Sequence, residues 1–222
     1  AACFALTAAM WAQGQRDGPA DEGAEKRLTD YKTPMSETLR QPRVWLSVAL
    51  FFLYVGAETA LGTWTYTLLT ESRGVDLALA GFFAGSYWFT FTIGRIVAGT
   101  IAARTGVSRL VLGGLVGALL GALLLIWNPS EIVNLAAVAV IGLAIAPIFP
   151  ALMSGTEARV GRRHAANTIG MQMTATGFGV AVIPSLMGVL AQQLSLEVIP
   201  ICLLAVYASL LGLYLLTAGP SE

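Results

Sequence analysis

Along the chain, windows of mostly apolar residues alternate with short polar breaks, and each window has about the twenty residues that a helix needs to cross some 30 Å of hydrocarbon. Six windows are complete: Val44 to Leu69, Leu79 to Ala103, Arg109 to Trp127, Ile132 to Ser154, Ala165 to Ala191 and Val198 to Leu216. Each predicts a transmembrane helix. A seventh run, AACFALTAAMWA (1–12), is apolar but too short to span, so it reads as the end of a preceding transmembrane helix, and the chain as a fragment. The expected class is all-α, a polytopic membrane protein with a six-transmembrane-helix bundle over 42–222.

Residues 13–41, QGQRDGPADEGAEKRLTDYKTPMSETLRQ, mix charge with Gly and Pro and sustain no apolar periodicity, which predicts a cytoplasmic linker with at most a short helix from Asp21 to Tyr31. The other connections are brief, as antiparallel neighbours in one bundle require. A coarse rhythm divides the spans into two sets of three: the first of each set carries a polar or proline interruption, the second is rich in Gly and polar residues, and the third is bland. That rhythm suggests two three-helix repeats.

Composition confirms the compartment. The 222 residues are 56% hydrophobic and only 12% charged, with a mean hydropathy of +0.71, which no ordinary soluble domain shows. Net charge is zero, so nothing points to a nucleic-acid partner. The distribution of the thirteen Lys and Arg residues says more. Six precede the first full span, two flank the 104–109 turn and three lie in TEARVGRRHA, whereas the alternate side holds only Arg73. Eleven against one orients the bundle by the positive-inside rule, with both of its ends cytoplasmic. The expected setting is the inner (plasma) membrane of a bacterium. Cys3 and Cys202 sit in apolar segments without CxxC spacing or a nearby His, so they are expected to pack rather than hold a metal.

Interruptions within the spans locate the moving and polar parts. Gly113, Gly117 and Gly121 recur at a spacing of four in span three and let helices approach closely. In IGLAIAPIFPALMS, Pro147 and Pro150 remove backbone donors in mid-membrane, so the freed carbonyls need a neighbouring helix or cavity water, and a kinked, mobile helix is expected. Span five sets Thr168, Gln172, Thr176 and Gly179 on one face, which should look away from lipid.

Two ionisable groups lie inside spans, Glu58 and Arg95, and each would cost at least about 2.5 kcal/mol facing lipid at the centre. Counting from the cytoplasmic ends places Glu58 about 21 Å deep and Arg95 about 12 Å deep. Arg95 is long enough to snorkel to the cytoplasmic face or meet helix-end carbonyls. Glu58 is not, which leaves it a buried pair, a local hydrogen bond or a place in a water-filled cavity. A carboxyl whose hydration changes can exchange a proton and couple its movement to a solute. Tyr54 lies one turn before Glu58 and Gly62 one turn after. Trp64, Trp88, Tyr87 and Phe91 can wall a sugar-like solute, although aromatic residues in membrane helices more often pack or form interfacial belts.

The segment GRIVAGTIAARTGVSRLVLGG (94–114) resembles the cytoplasmic loop signature of the major facilitator superfamily, with Gly99, Arg104, Gly106 and Arg109 matching and Ala103 where that family usually has Asp. YVGAE with the following Trp, APIFP, and GMQMTATGFGVAVIP add a resemblance to the carboxyl-terminal half of the fucose and sugar permease branch. That resemblance implies a secondary transporter that rocks against a missing amino-terminal six-helix half around a midplane site. It implies lipid, a small solute and protons as partners, no cofactor and no enzymatic activity. Glu58, Tyr54, Trp64, Trp88 and Gln172 become candidate solute or proton contacts. Arg95, Gly99, Arg104, Gly106, Arg109, Pro147 and Pro150 become structural and gating candidates.

Rival classes fare worse. An intramembrane serine protease needs an in-membrane His near an activated Ser. The sole histidine, His164, falls in a cytoplasmic loop, and Ser154 and Gly155 lack the usual preceding Gly. A channel predicts a polar stripe through several helices without proline-hinged mobility, and an isolated half would transport nothing.

Overall fold

The computed structural model describes residue 31 and residues 33–217. Both the 1–12 segment and the Asp21 to Tyr31 helix expectation, apart from Tyr31 itself, lie outside the described residues. Among the described residues, nine α-helices and one π-helical turn make up the regular structure. They are α1 (Met35–Leu39), α2 (Pro42–Thr67), the π-helical turn (Leu68–Ser72), α3 (Leu77–Thr105), α4 (Val107–Trp127), α5 (Glu131–Ile145), α6 (Ile148–Ser154), α7 (Thr156–Val160), α8 (Arg162–Gln193) and α9 (Val198–Thr217). Six stretches are long and apolar enough to cross a membrane: Pro42–Ser72, Leu77–Ala102, Val107–Trp127, Glu131–Ser154, Arg162–Gln193 and Val198–Thr217. They coincide with the six predicted windows to within a few residues.

Local chemistry sets the boundaries. Pro42 opens α2, where its missing N–H costs nothing. Asp76 caps α3 by accepting from the Ala78 and Leu79 amides at 2.9 and 3.2 Å. Gly106, at φ 80°, makes the turn between α3 and α4, a left-handed backbone that favours glycine.

Packing has an internal two-fold. Helix α2 lies chiefly against α8, and its counterpart in the second set of three, the α5–α6 unit, lies against α3. Helix α9 packs on α2 as α4 packs on α5, and α4 and α9 touch each other. Exchanging the two sets of three spans therefore maps each major contact onto another, which gives the sequence rhythm a structural basis. Spans α3 and α8 are the least covered of the six.

Glycines set the closest seams. An added Cβ on Gly142 would stand 2.5 Å from Thr90 Oγ1 and 2.7 Å from the Tyr87 carbonyl oxygen, so α3 and α5 meet backbone to backbone. In α4 the close approach is made by Gly114, Gly117 and Gly121, facing Ala144, Ile148 and Ile141, while Gly113 faces open space. This corrects the expected Gly113–Gly117–Gly121 ridge. At 3.6 residues per turn, positions 114 and 121 share one line along the helix, and Gly113 rotates off it.

The linker ends in structure rather than in a loose tether. Thr38 on α1 is fully buried, and its hydroxyl meets His164 Nδ1 at 3.1 Å and accepts from Asn167 Nδ2 at 3.1 Å. Asn167 also donates to the Thr33 carbonyl at 2.9 Å. His164 therefore straps 33–39 to the start of α8.

Candidate functional site

Glu58 sits half-buried on α2, at the depth where α3 brings Tyr87 and Trp88 alongside. The Tyr87 hydroxyl donates to the backbone carbonyl of Glu58 at 3.0 Å, which pins the two helices together at the acid itself. Among the described residues, no basic group comes within 4 Å of the carboxylate. The Tyr54 phenol and the Arg95 guanidinium are the neighbours whose interactions reach it. Of the three options open to an intramembrane carboxylate, a locked ion pair is thereby absent from the described residues.

Tyr54 is buried and donates to the Ile145 carbonyl at 3.0 Å. That carbonyl ends α5, where Ala146 and Pro147 break the helix before α6 begins. A neighbouring helix thus bonds one carbonyl beside the proline break, although the carbonyls that Pro147 and Pro150 leave without an i+4 donor are those of Leu143 and Ala146. Gly94 lets a second one, the Leu143 carbonyl, come close to α3, since a Cβ at Gly94 would be 2.7 Å from it.

Trp88 is 49% exposed and stands edge-on to Tyr87 (4.8 Å between centroids) and to Phe91 (6.0 Å). It rests on Gly62, where a Cβ would lie 2.7 Å from the indole. Arg95 continues the ladder, with its guanidinium 4.5 Å from the centre of the Phe91 ring. This reverses the snorkelling expectation. Side chains lean toward the N-terminus of their helix, which for α3 is the Leu77 end, so Arg95 turns toward mid-membrane and Glu58. Next to it lies a cavity of about 410 Å³ lined by Arg95, Gly99, Pro147, Phe149, Pro150 and Ser154 among others. Arg104, Gly106 and Arg109 are exposed around the α3–α4 turn.

Trp64 and Gln172 belong to other places. The Trp64 indole donates to the Pro184 carbonyl at 3.0 Å and lies over Gly188, so it braces α2 on α8. Gln172 is fully buried and donates to Ser47 at 2.8 Å and to Thr156 at 3.2 Å. Ser47 precedes Glu58 by eleven residues on the same helix, about 16 Å of rise. Of the predicted polar face of span five, Thr168, Gln172 and Gly179 are buried and Thr176 half-buried.

Three polar residues escaped the sequence reading. Arg159 joins the Gln172 network, donating to Ser47 at 3.2 Å, to Thr156 at 3.2 Å and to the Leu152 carbonyl. Burial holds its guanidinium below its ordinary value. Arg73, with a side chain only 4% exposed, donates to both oxygens of Glu197 (2.9 and 2.7 Å), to Asn134 Oδ1 (2.6 Å) and to the Leu125 carbonyl (2.8 Å). The third, Tyr207 on α9, is buried near Glu58. Arg73 and Arg159 count in the sequence only as loop charges and Tyr207 does not stand out at all, because sequence spacing gives no sign of which distant residues they meet.

A sequence profile of the Major Facilitator Superfamily matches residues 1–184 and, in an overlapping match, 46–222. The chain belongs to the major facilitator superfamily. Its six membrane-crossing helices, in two sets of three related by an internal two-fold, make a half bundle of the major facilitator fold. Bypass of stop codon protein 6 from Saccharomyces cerevisiae is 28% identical over 184 residues, covering 74% of this chain and 35% of that protein. The chain thus spans about a third of the length of this curated relative. Major facilitator proteins are membrane transporters, which places the chain in the lipid bilayer as an integral membrane protein.

Proposed function

We propose that this chain supplies the carboxyl-terminal half of a twelve-span secondary transporter, which moves a small, sugar-like solute by alternating access and couples it to protons at Glu58. The observation that carries this reading is a half-buried carboxyl at mid-depth, without an ion partner among the described residues, beside a partly exposed aromatic ladder.

While the groove against the opposing bundle is open, water solvates the Glu58 carboxylate and protons exchange with it. Closure removes that water, and a charge left dry at this depth is costly, so the closed form favours the protonated acid. Solute and proton therefore cross together. Trp88, half exposed, offers its ring to the C–H surface of a sugar, and the buried rings of Tyr87 and Phe91 behind it hold it in place. The break between α5 and α6 supplies the hinge, since backbone groups there are held by side chains and close contacts rather than by a continuous helix. In this reading 13–41 links the two halves, and the charge bias keeps both ends of the bundle cytoplasmic.

The test is proteoliposome uptake by the assembled twelve-span protein under an imposed pH gradient, wild type against Glu58→Gln. Glu58→Gln is expected to abolish gradient-driven accumulation while retaining part of solute exchange. Unchanged accumulation would reject the coupling role.

A further inference from the structure

The Tyr207 ring packs in the core, but neither that packing nor the coupling scheme uses its hydroxyl. It lies on α9, which is packed against α2, and the residue is 1% exposed. Its hydroxyl oxygen is the buried side-chain polar atom without a hydrogen-bond partner among the described residues. A buried, idle donor is unfavourable, and a phenylalanine would fill the same volume without that cost. The hydroxyl is not remote from other polar groups. Its electrostatic neighbours are Glu58 and Tyr87, and Tyr87 Oη is itself bonded to the Glu58 backbone.

Around Glu58 the titratable and charged groups are therefore Tyr54 on its own helix, Tyr87 and Arg95 from α3, and Tyr207 from α9. Tyr54 and Tyr87 already donate to backbone carbonyls, Ile145 and Glu58 respectively. Tyr207 alone of the three phenols has a hydroxyl proton uncommitted to a protein acceptor.

We infer that Tyr207 is a positioning residue for Glu58: the carboxyl has two stations, one beside Tyr54 and Arg95 and a second in which the ionised form turns inward and accepts the Tyr207 hydroxyl. This inference rests on the coupling role proposed for Glu58. The one covalent change is the Glu58 O–H, which breaks as a groove water takes its proton; every other change is in hydrogen bonding. The proton leaves Glu58 for groove water, Tyr207 keeps its own proton, and its O–H shifts from idle to donating. Reprotonation of Glu58 weakens the acceptor and releases the side chain toward the groove. Tyr207 thereby stabilises the empty, deprotonated stage of the cycle from behind the helix, at a point no solute touches.

The experiment uses the assembled twelve-span protein, with the pH dependence of gradient-driven uptake measured for wild type and Tyr207→Phe. An O–H donor lost from the carboxylate form should move the midpoint upward by about one pH unit, the equivalent of a charge-assisted hydrogen bond. Thermal stability should stay the same or rise. A merely structural phenol predicts the opposite pattern, with stability changed and the midpoint unmoved, and that result overturns the inference. A second measurement does not need the variant to fold. In the unsubstituted protein, the acid-minus-neutral infrared difference spectrum should show a tyrosine C–O band moving together with the carboxyl band. A moving carboxyl band without any tyrosine band overturns the Tyr207 role and leaves Glu58 as coupling site. Absence of both, with Glu58→Gln indistinguishable from wild type, removes the coupling reading itself.

Discussion

Replacing Arg73 by methionine removes the charged fork while keeping most of the apolar stem. Four hydrogen bonds disappear: two to Glu197, one to Asn134 and one to the Leu125 carbonyl. Stripping one partner from a fully buried ion pair costs about 3–5 kcal/mol. Here the side chain of Glu197 is 42% exposed and regains water, so its share is discounted. The Leu125 carbonyl and Asn134 Oδ1 stay inside, and each stranded acceptor costs at least about 1 kcal/mol. Asn134 remains held by its own donation to Asn128 at 2.7 Å, which limits relaxation. The sum is about 2–3 kcal/mol. Tryptophan fluorescence during denaturant titration in mild detergent reads it, and a second substitution, Glu197→Gln, should add little to Arg73→Met because the pair acts as a unit. A loss under about 0.5 kcal/mol, or full additivity, would refute the view that this clamp ties the end of the π-helical turn to α4, α5 and the α8–α9 connection.

Two further outcomes follow from the packing and the clamp. Hydrogen bonds from Arg73 hold the Glu197 carboxyl below its usual value of 4.5, so its stabilising contribution is complete above that pH and fades as pH falls through the lowered value. Melting temperature should therefore drop in acid below that pH in wild type, with a shallower fall in Glu197→Gln, and parallel curves would contradict the assignment. Gly142→Ala drives a methyl into the Tyr87 carbonyl and Thr90, so it should cost more than the roughly 1–3 kcal/mol of ordinary overpacking and separate α3 from α5. The check is detergent-solubilised yield and melting temperature, which an ordinary surface substitution would leave unchanged.

Most of the architecture was legible because lipid imposes a single rule on sequence. A segment that crosses must be about twenty residues long and nearly free of charge, and it must satisfy its backbone internally, so the six spans could be bounded without knowing any contact. Cytoplasmic charge set the expected orientation for a similar reason, since it acts on each loop separately. Glu58 was conspicuous because a short carboxylate at mid-depth has no way to reach water by itself.

What the residues meet was another matter. Trp64 looked like a wall for solute and is a brace on Pro184; Gln172 looked like a contact for the same site and is a strut about 16 Å away along α2. Arg95 leans toward mid-membrane because helix direction aims its stem, and the partner ring of Phe91 lies one turn that way. Arg73 stood out in the sequence only through its charge and Tyr207 not at all, since the partners of Arg73 lie 52, 61 and 124 positions away and the neighbours of Tyr207 are on other helices.

The sequence alone determined the solvent, the number and approximate limits of the membrane spans and the one acid that cannot face lipid, because each of these is a free energy of transfer summed over neighbouring residues. Only the tertiary structure decided which polar groups stand together, because hydrogen bonds and close backbone seams act over about 3 Å between helices distant in the chain. Apolar patterning is satisfied equally by many rotations of a helix, whereas Gly142 against Tyr87 and Tyr54 against Ile145 each permit one.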